Sequence, residues 1–168
     1  MKLWAYTFIG LLITKTALSA PDMLSIAIGS EFPDKSPFNN QSSEKPRPTL
    51  QFRVPNSGKS EELFPEYEVA ILRSTNEISI ISGRSVFSDM PACEKNKVAA
   101  AKWVAKIIPN AKLNPQTRRH SSESSNVFAS LSCSYRDQSP YPILELQFRG
   151  KEQDKKLEAA WQSYFKKH

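Results

Sequence analysis

Residues 127–149, VFASLSCSYRDQSPYPILELQFR, contain the pattern that decides the fold. Every second residue from Val127 to Tyr135 is apolar, aromatic or cysteine, and the same holds from Leu144 to Phe148. A period of two residues is typical of a strand with one buried face. The turn-forming run Asp137-Gln138-Ser139-Pro140 lies between the two segments, so the stretch predicts an antiparallel hairpin.

A second hairpin is predicted upstream, with strands at Tyr67–Arg73 and Ile78–Phe87. Ser74-Thr75-Asn76 between them is a tight-turn sequence. The adjacent residues Ile80 and Ile81 break the alternation of the second strand, which predicts a β-bulge at this point.

Each hairpin is followed by a helical pattern. Ser88-Asp89-Met90-Pro91 predicts the start of the first helix, which continues to about Ile108. The second helix is predicted from about Lys151 to Lys166. Its apolar stripe consists of Leu157, Ala160, Trp161, Tyr164 and Phe165. We expect the stripe to pack on the sheet; the alternative is a helix that binds a partner or a membrane surface.

The element order from residue 67 is therefore ββαββα. It predicts an α+β two-layer sandwich, in which an antiparallel sheet carries both helices on one face. We assign residues 67–168 to this core domain and residues 20–66 to an N-terminal segment with short strands, at 24–28 and 49–54, and irregular proline-rich chain. The polar residues 109–126 predict a long, exposed and mobile connection.

Residues 1–19 have the pattern of a cleaved secretion signal. Lys2 is followed by an uncharged run, Leu3–Ile13, which is too short to cross a bilayer core of about 30 Å as a helix. Ala17-Leu18-Ser19 supplies a small-x-small cleavage site, whereas an uncleaved anchor is the alternative. The rest of the chain contains no apolar run long enough to span a membrane. We therefore expect a periplasmic or secreted protein without a transmembrane segment.

Charge and cysteine content narrow the possible partners and ligands. Loss of residues 1–19 removes two of the positive charges behind the net charge of +6, and the remaining basic residues are scattered among acids. This distribution argues against nucleic acid and fits another protein or an anionic envelope component as the partner.

Cys93 and Cys133 lie on the predicted apolar faces and are expected to form a disulfide in an oxidising compartment; two free buried thiols are the alternative. No metal or cofactor is expected, because His120 and His168 are the sole histidines.

The sequence contains no arrangement typical of a catalytic site, and no catalytic residue is assigned. Arg118, Arg119 and His120 form a candidate anion-docking loop, for which a solvated basic turn is the alternative. A pair of carboxylates would require residues distant in sequence to meet. The candidates are Glu66, Glu68, Asp89, Glu94 and Asp137.

Three functions remain open. The first is a non-enzymatic binding protein of the bacterial envelope, such as a protein inhibitor or an immunity protein. The second is a small hydrolase with a carboxylate pair, and the third is a structural accessory of an envelope or secretion assembly. A deep pocket with two carboxylates would favour the second.

The predicted signal has a direct test. Intact-mass measurement of the protein from the periplasmic fraction should give a chain that begins at Ala20 or within a residue or two of it. Full-length chain recovered from the cytoplasm would contradict the prediction.

Overall fold

The computed structural model describes residues 26–32, 39–40, 47–56, 62–114, 116, 118–136 and 139–167. The predicted signal, much of the proline-rich stretch and Asp137 lie outside the described residues. Two helices and a single antiparallel sheet account for the described elements: β1 Asn39–Asn40, β2 Thr49–Pro55, β3 Glu66–Leu72, β4 Ile78–Val86, α1 Met90–Ile107, β5 Lys112–Asn114, β6 Arg119–Ser121, β7 Val127–Tyr135, β8 Pro142–Gly150 and α2 Lys151–Lys167. Their order across the sheet is β1-β2-β3-β4-β8-β7-β6-β5.

The predicted hairpin at 127–149 is confirmed as β7 and β8, with Leu131 opposite Leu146. On its other side β8 pairs with β4, where Leu146 lies opposite Gly83. The two predicted hairpins therefore join through β4 and β8 at the centre of the sheet. β2, from the predicted N-terminal segment, belongs to the same sheet and pairs with β3.

The core lies between one sheet face and α1. Alternate residues of the central strands, among them Tyr67, Ile81 and Leu144, are almost completely buried on this face. The helix begins as its sequence predicts, since the Asp89 carboxylate accepts a hydrogen bond from the Ala92 amide at 2.8 Å. Its buried stripe consists of Cys93, Ala100 and Val104.

The second helix lies across one end of the opposite face. Leu157 and Trp161 border a groove whose other wall includes Ala70 and Ile80, and these two residues alternate with the core-facing residues of β3 and β4. The α+β class and the element order agree with the prediction, but the arrangement of both helices on one face does not extend to α2. The sheet covers only part of the apolar stripe of α2, because Leu157 is buried whereas Phe165 is 69% exposed.

Three local expectations need correction. The stretch 109–126 is not simply an exposed loop, since it contains the hairpin of β5 and β6, which extends the sheet beyond β7. Backbone hydrogen bonds hold such a hairpin, so it does not need alternating apolar side chains. The sequence therefore contains no alternation that would predict it. The described part of the predicted strand at 24–28, residues 26–28, is coil and turn. The bulge is at Ser79, one residue before the predicted site, and its hydroxyl donates to the Ala70 carbonyl at 2.9 Å.

The disulfide between Cys93 and Cys133 is present and joins α1 to β7, with a Cα–Cα distance of 6.0 Å. Cys93 is fully buried and Cys133 packs against the core. The bond therefore fixes the helix over the outer half of the sheet.

Replacement of both cysteines by alanine should lower the free energy of unfolding by about 2–5 kcal/mol, because the bond closes a long loop with a sequence separation of 40 residues. Urea denaturation followed by circular dichroism measures this difference. Reduction of the unmodified protein should give a similar loss. If the free energy of unfolding is the same in either experiment as in the oxidised, unmodified protein, the bond does not stabilise the native state.

Candidate functional site

The sheet face opposite α1 is covered at one end by α2 and is otherwise uncovered by the described residues. We call it the open face. Its side chains come from the alternate phase of the central strands, and they are mainly charged or polar. They include Glu68, Ser82, Arg84, Ser132, Glu145 and Gln147.

A row of alternating charges crosses the open face at right angles to the strands. Nη2 of Arg53 on β2 lies 4.0 Å from Oε1 of Glu68 on β3. Oε2 of Glu68 lies 3.7 Å from Nη1 of Arg84 on β4. Arg84 then pairs with Glu145 on β8 at 3.0 Å, and Glu145 pairs with Arg136 at 2.7 Å. We call these five residues the charge row.

Strand register creates the charge row. Arg53 is directly opposite Glu68, and Arg84 is directly opposite Glu145, so each pair projects from the same face of the sheet. The link from Glu68 to Arg84 is diagonal, because Glu68 pairs in register with Ser82. Long side chains reach such diagonal neighbours on one sheet face.

Glu145 is the most enclosed carboxylate of the row. Burial alone would raise the pKa of Glu145, but hydrogen bonds from Arg136 and Arg84, together with their charges, hold that pKa below its ordinary value. The carboxylate is therefore ionised at neutral pH and bound on two sides. A group in this state is suited to electrostatic recognition and not to proton donation.

Apolar residues lie at the end of the open face away from α2. Val86, at the end of β4, is directly opposite Ile143 and is 62% exposed. Tyr141, which directly precedes β8 at the same end of the sheet, is 52% exposed. The charge row thus lies beside exposed aliphatic and aromatic side chains, a combination typical of protein interfaces.

The structure separates the members of the predicted anion-docking loop. Arg119 lies on the open face, with its guanidinium 4.3 Å from the centre of the Phe128 ring. His120 is on the opposite face of the same short strand, where burial and then the charge of Lys97 lower its pKa. Arg118 occupies the preceding turn with φ 54°. Adjacent strand residues point to opposite faces, so these three side chains do not form one anion site.

The candidate carboxylates do not form a pair free of cations. Glu66 and Glu68 project from the same face of β3, but both contact Arg53. Asp89 caps α1, and Glu94 pairs with Lys97 at 3.0 Å. The fifth candidate, Asp137, lies outside the described residues. Each described candidate is therefore engaged in a structural contact.

The described residues contain no group of three or more histidine, cysteine or acidic side chains arranged to hold a metal ion. None of their helices is both long and apolar enough to cross a membrane.

The sequence analysis does not predict the charge row, because only the alternating positions of its members within each strand can be recognised in the sequence. Arg84 and Glu145 occupy the polar phase of strands whose apolar phase was recognised. Their meeting depends on the pairing of β4 with β8, which a ββαββα order alone does not specify.

No protein-family model matches the chain, and no curated protein or solved structure is significantly similar to it.

Glu145→Gln should lower the free energy of unfolding at pH 7 by about 1 kcal/mol, because it leaves Arg84 and Arg136 without their shared carboxylate. The folded-state pKa is depressed, so the stabilisation is present above the ordinary value of 4.5 and is lost as the pH falls through the folded-state value. Urea denaturation of both proteins should therefore show a difference that shrinks in acid.

The matched control is Glu66→Gln, since Glu66 is at the margin of the row, 59% exposed and 3.6 Å from Arg53. It should change stability by less than about 0.5 kcal/mol. Equal effects of the two substitutions at pH 7, or a Glu145 effect that does not vary with pH, would contradict the electrostatic role of the row.

Proposed function

We propose that this protein is an exported, non-enzymatic binding protein of the bacterial envelope, and that it recognises another protein through the open face. Inhibition of a partner, or immunity towards a foreign toxin, is the class of activity that fits such a protein. The predicted signal and the disulfide support export. The single observation that carries the binding role is the charge row beside the exposed Val86, on a sheet face that the described residues leave uncovered between α2 and this end.

The composition of the open face supports a protein partner. Interfaces are enriched in arginine and aromatic residues, and alternating charges give specificity by penalising partners of the wrong pattern. Glu68 and Glu145 are each held between arginines, so the side chains are ordered before binding. A preordered surface loses less conformational entropy when it binds.

The hydrolase alternative has less support. A carboxylate pair that performs acid and base catalysis needs one member that keeps its proton near neutral pH. The arginines beside Glu145 on the open face instead hold the pKa of its carboxyl below the ordinary value. A structural accessory remains compatible with the same surface, and the experiment below applies to it equally.

The proposal is tested by site-specific photo-cross-linking in intact cells. A benzophenone amino acid replaces Ser134, an exposed open-face residue, or Lys102, an exposed residue of α1 on the other side of the molecule. A discrete adduct of reproducible mass should form from position 134 and not from position 102. Arg84→Glu in the position-134 protein should reduce the adduct, whereas Glu66→Gln should not.

Absence of an adduct at position 134, or equal adducts at both positions, would overturn the proposed role of the open face. Circular dichroism of each purified variant verifies that the fold is retained.

A further inference from the structure

The C-terminal end of α2 carries an exposed aromatic cluster. The rings of Trp161 and Phe165 stack with centroids 5.4 Å apart, and Tyr164 contacts both at 5.5 and 5.6 Å. Phe165 is 69% exposed, the highest value among the exposed large apolar residues. We call these three residues the aromatic cluster.

The core does not account for the aromatic cluster. Of the apolar stripe of α2, only Leu157 is classed as buried. Trp161 and Phe165 instead border a groove of about 560 Å³ between the helix and the sheet, together with Gln51 and Ala70. Trp161 and Tyr164 are half-buried and Phe165 is exposed, and a group of partly exposed aromatic side chains of this kind marks an interaction surface.

Basic residues surround the aromatic cluster. Lys166 and Lys167 follow it directly in α2. Thr49 and Phe165 both line the groove. The exposed Arg47 is two residues before Thr49, and the exposed Arg73 follows Leu72, which pairs with Thr49 in the sheet. Arg73 is fixed there, since its Nε donates to the Arg47 carbonyl at 3.0 Å.

The acidic residues of α2 precede the aromatic cluster in sequence, but two of them, Asp154 and Glu158, line the same groove as Trp161 and Phe165. Residues 159–167 contain no acid, whereas Glu152, Asp154 and Glu158 precede them. Asp154 pairs with Arg149 at 3.0 Å, and Glu152 pairs with Lys156 at 3.1 Å. The corner formed by the aromatic cluster and its basic neighbours nevertheless has an excess of positive charge. Arg149 neutralises Asp154, and the four basic residues Arg47, Arg73, Lys166 and Lys167 outnumber Glu158.

We propose that this corner of the molecule docks on an anionic lipid surface of the envelope. Tryptophan, tyrosine and phenylalanine enter the boundary between headgroups and acyl chains, and adjacent lysine and arginine side chains pair with anionic headgroups. The charge of the corner matches such a surface and selects it over a neutral one. The inference goes beyond the proposed function, because the corner and the charge row are separate surfaces.

The test uses the exported protein with Trp103→Phe. Of the three tryptophans in the chain, Trp4 lies in the predicted signal, so a mass check for its removal leaves Trp161 as the sole reporter. Vesicles of phosphatidylglycerol and phosphatidylcholine, mixed one to three, should shift the Trp161 emission to shorter wavelength and co-sediment the protein. Pure phosphatidylcholine vesicles should do neither, and high salt should weaken binding to the mixed vesicles.

Two substitutions separate the aromatic and electrostatic contributions. Phe165→Ser should weaken vesicle binding by about tenfold, and Lys166→Gln should weaken it by about fivefold. Val98→Ser on α1 is the matched control, because Val98 is 62% exposed and lies away from the corner. It should leave binding unchanged.

Three results would overturn the proposal: no binding to the mixed vesicles, equal binding to neutral vesicles, or equal effects of Phe165→Ser and Val98→Ser. An emission shift that needs no vesicles and grows with protein concentration would also overturn it, since a second copy of the chain would then cover the cluster. Cross-linking from position 134 is independent of these results, so failure of one proposal does not imply failure of the other.

Discussion

The pairing of β4 with β8 is the interaction on which the rest of the structure depends. It joins two hairpins that are otherwise separate, with Ile81 opposite Phe148 and Gly83 opposite Leu146. A slip of one residue in this register would move every side chain of one hairpin to the other face. The same pairing therefore fixes the core on one side and the charge row on the other, because Arg84 and Glu145 alternate with these buried residues.

Much of the central fold could be predicted because apolar residues repeat with a clear period. The β7–β8 hairpin and the start of α1 follow from alternation and from capping chemistry within short stretches. The disulfide follows from the positions of Cys93 and Cys133 on two apolar faces that share one core. The β5–β6 hairpin could not be predicted in this way, since backbone hydrogen bonds hold it and its side chains are mostly polar. The face on which α2 packs could not be predicted, because an apolar stripe shows that a helix packs on a sheet but does not show which face it covers.

The candidate site was predicted less well than the fold. Proximity in sequence suggested that Arg118, Arg119 and His120 act together, but a strand directs neighbouring side chains apart, and Arg119 stacks on Phe128 instead. The charge row draws its members from β2, β3, β4, β8 and the turn after β7, and such a site has no local signature. Its recognition requires the strand order, in which β8 lies between β4 and β7.

That strand order also governs how the chain reaches its native state. After β4 the chain crosses the sheet through α1 and lays down β5 at the far edge, then returns strand by strand until β8 meets β4. The central pairing therefore joins residues that are far apart in sequence, such as Ile81 and Phe148. It forms only after all of the chain between them is free to fold. Closing so long a segment costs chain entropy before any stabilising contact has formed, and this cost makes folding slow. During that interval the unpaired edges of β4 and β8 are exposed to other chains, so the time before these two strands pair is the time when this protein is most vulnerable to aggregation.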